Sequence, residues 1–362
     1  SLGAGLTGMG PSYIPAAQDP SDPNFDTRYQ YIEPTIANSQ VNIDLSYIDF
    51  TAISLSLAAV NAPSATKSPQ ISQSSQAMAV AAAGAASSTN GSVLPSPSDQ
   101  LPSPEFARVI SPQLATSALY HDFTYYLQTT LAEETVRLAG TYMGTGTQPS
   151  PSQNTQAQSY DFTATFDASG NVTLVPNPDS GNGSAPGVPA SQRGTGVGDT
   201  RNVSLTFADL NASTGVYGCN APYSLTNPSL TSNGITNDFW GWVIGDLLAG
   251  LNFGFVGSST EFNDTTVGKL ASTQWWGGTM PDGTVIDPGD TPGGAGIYFS
   301  GAQDNSLDYN SYAASISGLT GGYGFPLQDR LGTNLMTMNT ANDPGSYLMV
   351  WIEITPPENI AR

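Results

Sequence analysis

The sequence predicts a mainly β protein with helical insertions: a β-rich core, a mixed α/β lobe, and a cleft between them. Three observations lead there. Gly (39) and Pro (27) are abundant, and charged residues make up only 10% of the 362-residue chain, which favours turns and loops over a helical bundle or coiled coil. Several segments alternate apolar and polar residues with the period of a half-buried strand. A few stretches rich in Ala or large apolar residues have helical length and spacing.

Taken in order, residues 1–24 are rich in Gly, Pro, Ser and Asp and read as an extended arm. Residues 27–36 (TRYQYIEPTI) and 41–57 (VNIDLSYIDFTAISLSL) read as strands joined by a turn at Ala37-Asn38-Ser39-Gln40. The Ala-rich stretch 74–86 reads as a helix, followed by a loop and a short strand at Phe106–Ile110. From Pro112, apolar residues at Leu114, Leu119, Phe123, Tyr126, Leu127, Leu131 and Val136 predict a helix over 112–138, with Glu133 and Arg137 as an i,i+4 pair. Residues 141–158 and 178–200 are loops, and YDFTATFD, NVTLVPN and NVSLTFADL around them alternate as strands. Residues 238–252 predict a buried helix, 271–301 a Gly-rich stretch holding Trp275 and Trp276, 308–319 a short helix, and 346–354 a closing strand. No fixed-period repeat is present.

The formal charge is −20, with Lys67, Lys269 and seven arginines as the only cations besides His121. That set cannot neutralise a phosphate backbone or hold an anionic membrane surface, so nucleic-acid and membrane partners are excluded. The acidity fits either an acidic working pH or simple solubility. One cysteine, Cys219, allows no intrachain disulfide, and with a single histidine it argues against a zinc site, a Cys–His dyad or a Ser–His–Asp triad. Cys219 reads as a buried thiol and His121 as a packing or surface residue. Asp282, Asp287 and Asp290 offer oxygen ligands, as do Asp304 and Asp308, but without the regular spacing of a calcium loop, so neither metal nor cofactor is expected. Asn-x-Ser/Thr sequons at Asn90, Asn171, Asn182, Asn202, Asn211 and Asn263, in a lysine-poor and Ser/Thr-rich chain, predict an extracellular glycoprotein, secreted or in a cell wall.

The remaining chemistry belongs to carboxylates. Glu33, Asp44 and Asp49 lie on two consecutive strands. Sugar hydrolysis needs one carboxyl that holds a proton for the leaving oxygen and another that stays ionised to activate water or attack. A solvated sheet face is the alternative reading of the same three acids.

The segment from Asp19 to Leu57 resembles the core of the thaumatin-like superfamily, and more closely the β-1,3-glucanases of glycoside hydrolase family 64. Tyr31-Ile32-Glu33-Pro34-Thr35 stands where that family has W-[DE]-x-x-E-F-T. Asn42 to Phe50 stands at its N-x-[ST]-x-V-D-x-[FV]-G-[LI]-P motif, with the same spacing of 16 between Glu33 and Asp49. Phe106 to Pro112 resembles R-[IV]-x-[AS]-P. Tyr217-Gly-Cys-Asn220 with the 238–252 helix, and Tyr309 to Phe325, follow in the family's order. The resemblance implies a thaumatin-like barrel or sandwich core. It implies inverting hydrolysis of β-1,3-glucan or a related polysaccharide, with Glu33 as general acid and Asp49 as general base. Asp44, Thr35 and Ser46 would contact sugar, and Trp275 and Trp276 would stack on its rings. It divides the chain into an arm with the barrel strands and acidic cleft (1–57), an α/β lobe (58–235), and a C-terminal part with the closing strands (236–362).

Departures from the pattern stand beside the matches. Pro34 replaces a Phe, the family's second acidic pair reads Leu327-Gln328-Asp329, and its cysteines are reduced to Cys219. They leave open a non-catalytic glucan-binding or structural assembly protein on the same fold. Only 32 residues precede Glu33, so a separate N-terminal chain or a second copy is expected to complete the barrel. A turn at 37–40 sets Glu33 opposite Asp44 and would put Asp49 on the other face of a regular strand. Pairing Glu33 with Asp49 therefore requires a bulge or bend between 44 and 49.

Overall fold

The computed structural model describes residues 14–37, 39–65, 72–86, 93–95, 106–115, 120–142, 158–177, 201–226, 229–235, 239–262, 264–276, 297–303, 306–331 and 336–353. The chain forms two compact units, Ser1–His121 with Ser311–Arg362, and Asp122–Asn310. This differs from the three consecutive segments expected. Residues 58–121 join the N-terminal strands, and the chain returns to the first unit after completing the second.

In its first passage the first unit has β1 (Tyr31–Ala37), β2 (Gln40–Ser46), β3 (Phe50–Thr51), β4 (Ser54–Val60), α1 (Ser75–Gly84), β5 (Val93–Pro95) and β6 (Phe106–Ile110). The second unit contains β7 (Thr135–Tyr142), β8 (Gln158–Phe166), β9 (Val172–Pro176), β10 (Val203–Leu205), α2 (Phe207–Asn211), β11 (Tyr223–Leu225), β12 (Leu230–Ser232), α3 (Phe239–Phe253), β13 (Glu261–Phe262), β14 (Thr265–Thr266) and α4 (Ser272–Trp275). The first unit resumes with α5 (Ser311–Ser317), β15 (Met336–Asn339) and β16 (Tyr347–Glu353).

Among the described residues the first unit holds sheets ordered β1-β2-β15, β3-β6-β5 and β16-β4. The second holds an antiparallel sheet β12-β11-β10-β9-β8-β7 and the small pair β13-β14. None of these sheets closes into a barrel. The fold is β-rich with few helices, as expected, but its β core consists of open sheets.

In the first unit, β1 and β2 form the expected hairpin, with Ala37 opposite Gln40 and Ser39 at φ 67° in the tight turn. Val41, Ile43 and Leu45 of β2, with Met336 and Met338 of β15, bury one face. The stretch expected as one strand over 41–57 breaks into β2, β3 and β4 because Tyr47 turns fully inward. There its hydroxyl accepts the Leu55 N–H at 2.9 Å. The arm is also not extended where it is described. Residues 16–27 make successive tight turns, with hydrogen bonds from Asp19, Asp22, Phe25 and Thr27 N–H groups to carbonyls three residues back. The fully buried Arg108 of β6 pins this arm through the carbonyls of Ala17 (3.0 Å), Phe25 (2.5 Å) and Thr27 (2.8 Å), and its guanidinium lies over the Tyr29 ring at 4.9 Å.

In the second unit, the helix expected over 112–138 is not formed. One wide helical turn occupies Tyr126–Thr130, Glu133 then takes a left-handed φ of 64°, and Thr135–Tyr142 is the edge strand β7. Thr135-Val136-Arg137-Leu138 alternates exposed and buried, and that period outweighs the helical spacing. Arg137 accordingly pairs not with Glu133 but across the sheet with Asp161, bidentately at 2.6 and 3.0 Å. The strand expected over 202–210 stops at Leu205. Thr206 caps α2 by accepting the Asp209 N–H, and it donates its hydroxyl to the Asp209 carboxylate. Helix α3 is buried nearly all round, as predicted, and packs on β7. Its Asn252 donates to the Val216 carbonyl and the Cys219 sulfur, which explains the buried thiol.

Within the first unit, residues 320–324 run beside the end of β2. The Tyr47 N–H donates to the Tyr323 carbonyl and the Tyr323 N–H to the Leu45 carbonyl, both at 2.8 Å. This approach needs Gly322, where a Cβ would lie 2.5 Å from the Leu45 oxygen and 2.7 Å from the Tyr47 ring. Gly322→Ala is expected to cost about 1–3 kcal/mol, as overpacking against backbone does. Urea denaturation would show it as a lower midpoint at unchanged slope; an unchanged midpoint contradicts this packing.

Candidate active site

The second face of the β1-β2-β15 sheet is polar. The ladder sets Tyr31 opposite Ser46, Glu33 opposite Asp44, Thr35 opposite Asn42, and Asn42 opposite Thr337 of β15. Residues directly opposite share a face, with Cβ atoms about 4.5–5.5 Å apart. The Thr337 hydroxyl donates to Asn42 Oδ1 at 2.8 Å, and Gln40 Nε2 donates to the same oxygen at 3.1 Å. Burial of this face rises along β2: Gln40 is exposed, Asn42 half-buried, and Asp44 and Ser46 buried. The cause is the 320–324 segment, whose Tyr323 bridges to Ser46 in parallel. Glu33, on the edge strand, stays exposed.

Asp49 comes to this site through the bend that the sequence required. β2 ends at Ser46, and β3 starts at Phe50 in a different sheet. The Gln30 amide spans the break. Its Nε2 donates to the carbonyls of Ser46 (2.6 Å) and Phe50 (3.0 Å), and its Oε1 accepts the Ala52 N–H at 3.0 Å. Asp49 is then held from the segment after β6, where the Ser111 N–H donates to its carbonyl and Gln113 Nε2 to its Oδ1. The stretch resembling R-[IV]-x-[AS]-P thus pins the arm at one end and the acid at the other.

The electrostatics of the cluster are one-sided. Burial first, then the charges of Glu33 and Asp329, push the Asp44 carboxyl up to about 7. Burial also raises Asp49; the hydrogen bond from Gln113 opposes this, and the charge of Glu33 adds to it. Asp329, in a short 3₁₀ turn at Gln328–Leu331, is raised by burial and opposed by Arg330. The Tyr323 phenol is raised by burial and then by Asp329, Asp44 and Glu33. Asp44 Oδ1 and the Tyr323 hydroxyl are both buried without a hydrogen-bond partner among the described residues.

The structure therefore brings Glu33, Asp44 and Asp49 into one electrostatic cluster, with Thr35 exposed on the same face. Two expected sugar contacts, Ser46 and Trp275, are corrected because both are buried, and a third, Trp276, lies half-buried next to Trp275 in sequence. Ser46 is buried, and its carbonyl serves the Gln30 brace. Trp275 is 1% exposed and packs in the aromatic core of the second unit, its indole N–H donating to the Val267 carbonyl. Trp276, half-buried in that core, donates to the buried Asp246 at 3.1 Å. Asp44, expected as a sugar contact, forms the buried back of the site rather than its surface. Asp282, Asp287, Asp290 and Asp304 lie outside the described residues, as do Asn90, Asn182 and Asn263. Among the described residues no three His, Cys, Asp or Glu side chains are disposed to hold a metal ion. Sequence reasoning missed Gln30, Gln113 and Tyr323 as site residues, and met Asp329 only as what remains of the family's second acidic pair. Only the Gly-rich run around Tyr323 signalled a close backbone approach.

A pair of carboxyls in unequal environments can split acid and base roles between them, and a polar sheet face lined with hydroxyl and amide groups suits a hydroxylated ligand. Residues 5–170 match the family model of glycoside hydrolase family 64, described as β-1,3-glucanase. Among solved structures, a laminaripentaose-producing β-1,3-glucanase in complex with laminaritetraose is similar at TM-score 0.50 and 16% identity, over 93% of this chain and 72% of that one. Comparison with curated protein sequences gives no match. In sequence over that stretch, and in fold over most of its length, the chain is β-1,3-glucanase-like.

The raised carboxyls tie stability to pH. For an acid whose folded pKa lies above its unfolded value, the native state keeps its proton longer. Stability is then full below the unfolded value, near 3.8, and is lost as pH rises toward about 7. Asp49 and Asp329 act in the same direction. Denaturant midpoints measured from pH 4 to 8 are expected to fall with rising pH, Asp44 contributing roughly 2–4 kcal/mol. Asp44→Asn is expected to flatten the curve; an equally steep curve in that variant contradicts the assignment.

Proposed function

We propose that the chain hydrolyses β-1,3-glucan outside the cell by an inverting two-carboxylate mechanism. The observation that carries this reading is the polar sheet face on which Glu33 and Asp44 stand opposite each other with Asp49 bent in beside them, inside the stretch that matches the β-1,3-glucanase family. Glu33 is exposed at the sheet edge and gives its proton to the leaving glycosidic oxygen. Asp49 accepts a proton from the water that attacks the opposite face of the sugar. Inversion places that water between the two carboxyls, which needs roughly 6.5–9.5 Å between them. Thr35, Asn42 and Thr337 line the same face and contact sugar hydroxyls.

One departure from the family pattern weighs less than it did in sequence. Of the second acidic pair, Asp329 is retained, and its charge acts on Asp44. An added strand from a second chain along β1 has Pro34 against it, because a proline gives no N–H to a new ladder. Secretion with glycans is part of the same proposal. Among the described sequons, Asn171 and Asn211 spend their amide nitrogens on Asp167 and Thr124, whereas the Asn202 side chain makes no hydrogen bond among the described residues. Asn202 is the position we expect to carry a glycan.

Hydrolysis of laminarin by the wild-type chain is the test. Glu33→Gln and Asp49→Asn are each expected to lower kcat by at least about 100-fold, the usual scale of general acid–base catalysis. Proton NMR of the first products is expected to show the inverted anomer. Binding of laminarin without turnover by the wild type would replace this reading with that of a glucan-binding protein.

A further inference from the structure

We propose that Glu33 and Asp44 share a single proton across the β1–β2 ladder, and that Asp44 is the positioning residue that loads Glu33 with it. The inference rests on the hydrolase reading above for its consequence in catalysis, but its physical basis is separate. The two side chains are directly opposite on one face of an antiparallel pair, close enough that two full charges repel strongly. Their surroundings differ sharply: Glu33 is exposed, whereas Asp44 is 6% exposed. Asp44 Oδ1 is also buried with no hydrogen-bond partner among the described residues, so ionising Asp44 would place charge on a desolvated oxygen that none of them stabilises.

The groups facing Asp44 reinforce this. β1 presents Glu33 and Tyr31, the bridging segment presents Tyr323, and the 3₁₀ turn presents Asp329. At the bend, Asp49 in turn feels the charge of Glu33. Among the described residues two cations act on these groups, Arg330 on Asp329 and Arg108 on Tyr31, and neither is among the causes that shift Asp44. β15 sets Met336 opposite Ile43 and Thr337 opposite Asn42, and neither side chain titrates. With so little positive charge, the pair keeps one proton well past the pH at which a lone exposed carboxyl has lost its own.

In the resting pair the proton sits on buried Asp44 and exposed Glu33 is ionised. Substrate that covers Glu33 strips its water and raises its affinity for the proton, so the proton moves to Glu33 and the charge to Asp44. Glu33 then gives the proton to the leaving oxygen, which departs with the electron pair of the broken C–O bond. Asp49 takes one proton from the attacking water and releases it to solvent. Solvent returns one to the pair, so protons balance over the turnover.

Two measurements test this on the full chain. The alkaline limb of the kcat profile for laminarin is expected to move to lower pH by at least about one unit in Asp44→Asn, with KM little changed, because the pair no longer holds a shared proton. A structural role for Asp44 would lower activity without moving the limb. Carboxyl carbon NMR titration of the wild type and of Glu33→Gln needs no turnover. Removing the Glu33 charge is expected to lower the pH at which Asp44 titrates. An unmoved limb in folded Asp44→Asn, or an Asp44 titration indifferent to Glu33→Gln, overturns the proposal. If the wild type fails to hydrolyse laminarin, the hydrolase reading falls, and the NMR titration still decides whether the proton is shared.

Discussion

The site depends on a parity constraint imposed by the pleat. Side chains alternate across a strand, so residue 44 and residue 49 cannot share a face while the strand stays regular. The chain resolves this by stopping β2 at Ser46 and turning Tyr47 into the core. Stopping a strand strands its backbone groups, and buried ones cost about 1–3 kcal/mol each if unmet. Here they are met. The Tyr47 N–H finds Tyr323, its carbonyl accepts the Tyr312 hydroxyl at 2.8 Å, and Gln30 takes up the carbonyls of Ser46 and Phe50. The bend is thus a satisfied structure rather than a loose loop, which lets it hold a carboxyl in a fixed place.

The same segments that satisfy the bend create the electrostatic imbalance. Residues 320–324 close over the C-terminal end of β2 and bury Asp44, and the 3₁₀ turn that follows brings Asp329. A chain of net charge −20 has few cations to set against this. The cation most deeply buried in this unit, Arg108, is spent on the carbonyls of the arm rather than on any carboxylate. Acids gathered without counter-charge lower the stability of the fold. Such a cost, with several raised carboxyls gathered at one place, is what a functional site looks like physically.

Legibility in the sequence followed the range of the interactions. The hairpin turn, the Glu33–Asp44 register and the helices at 74–86, 238–252 and 308–319 depend on local spacing, and the structure places them where that spacing predicts. The need for a break between 44 and 49 followed from the same arithmetic. The helix expected over 112–138 failed because two periods overlapped, and the left-handed Glu133 with its cross-strand hydrogen bond to Phe166 settled which one governs. Trp275 and Trp276 were misread because an aromatic pair in a Gly-rich stretch gives no sign of which way it faces. Tyr323 and Asp329 could not be read at all as partners of Asp44. They arrive from nearly 300 residues away through a contact that only the missing Cβ of Gly322 hints at.

The hairpin also shows how one sheet face makes two different acids from nearly identical side chains. Among the described residues β1 lies at the edge of its sheet and β2 in the middle. Anything that packs over the face covers the middle strand first, so Asp44 loses its water while Glu33 keeps it. Desolvation of one member and exposure of the other is enough to separate their proton affinities, without any cofactor. Topology, through strand order alone, assigns the proton-holding position to β2. Pro34, next to Glu33 on β1, guards the other half of the arrangement: a further strand there would bury Glu33 as well, and a proline in an edge strand disfavours that addition. The asymmetry between the two carboxyls therefore depends on β1 staying at the edge as much as on β2 being covered.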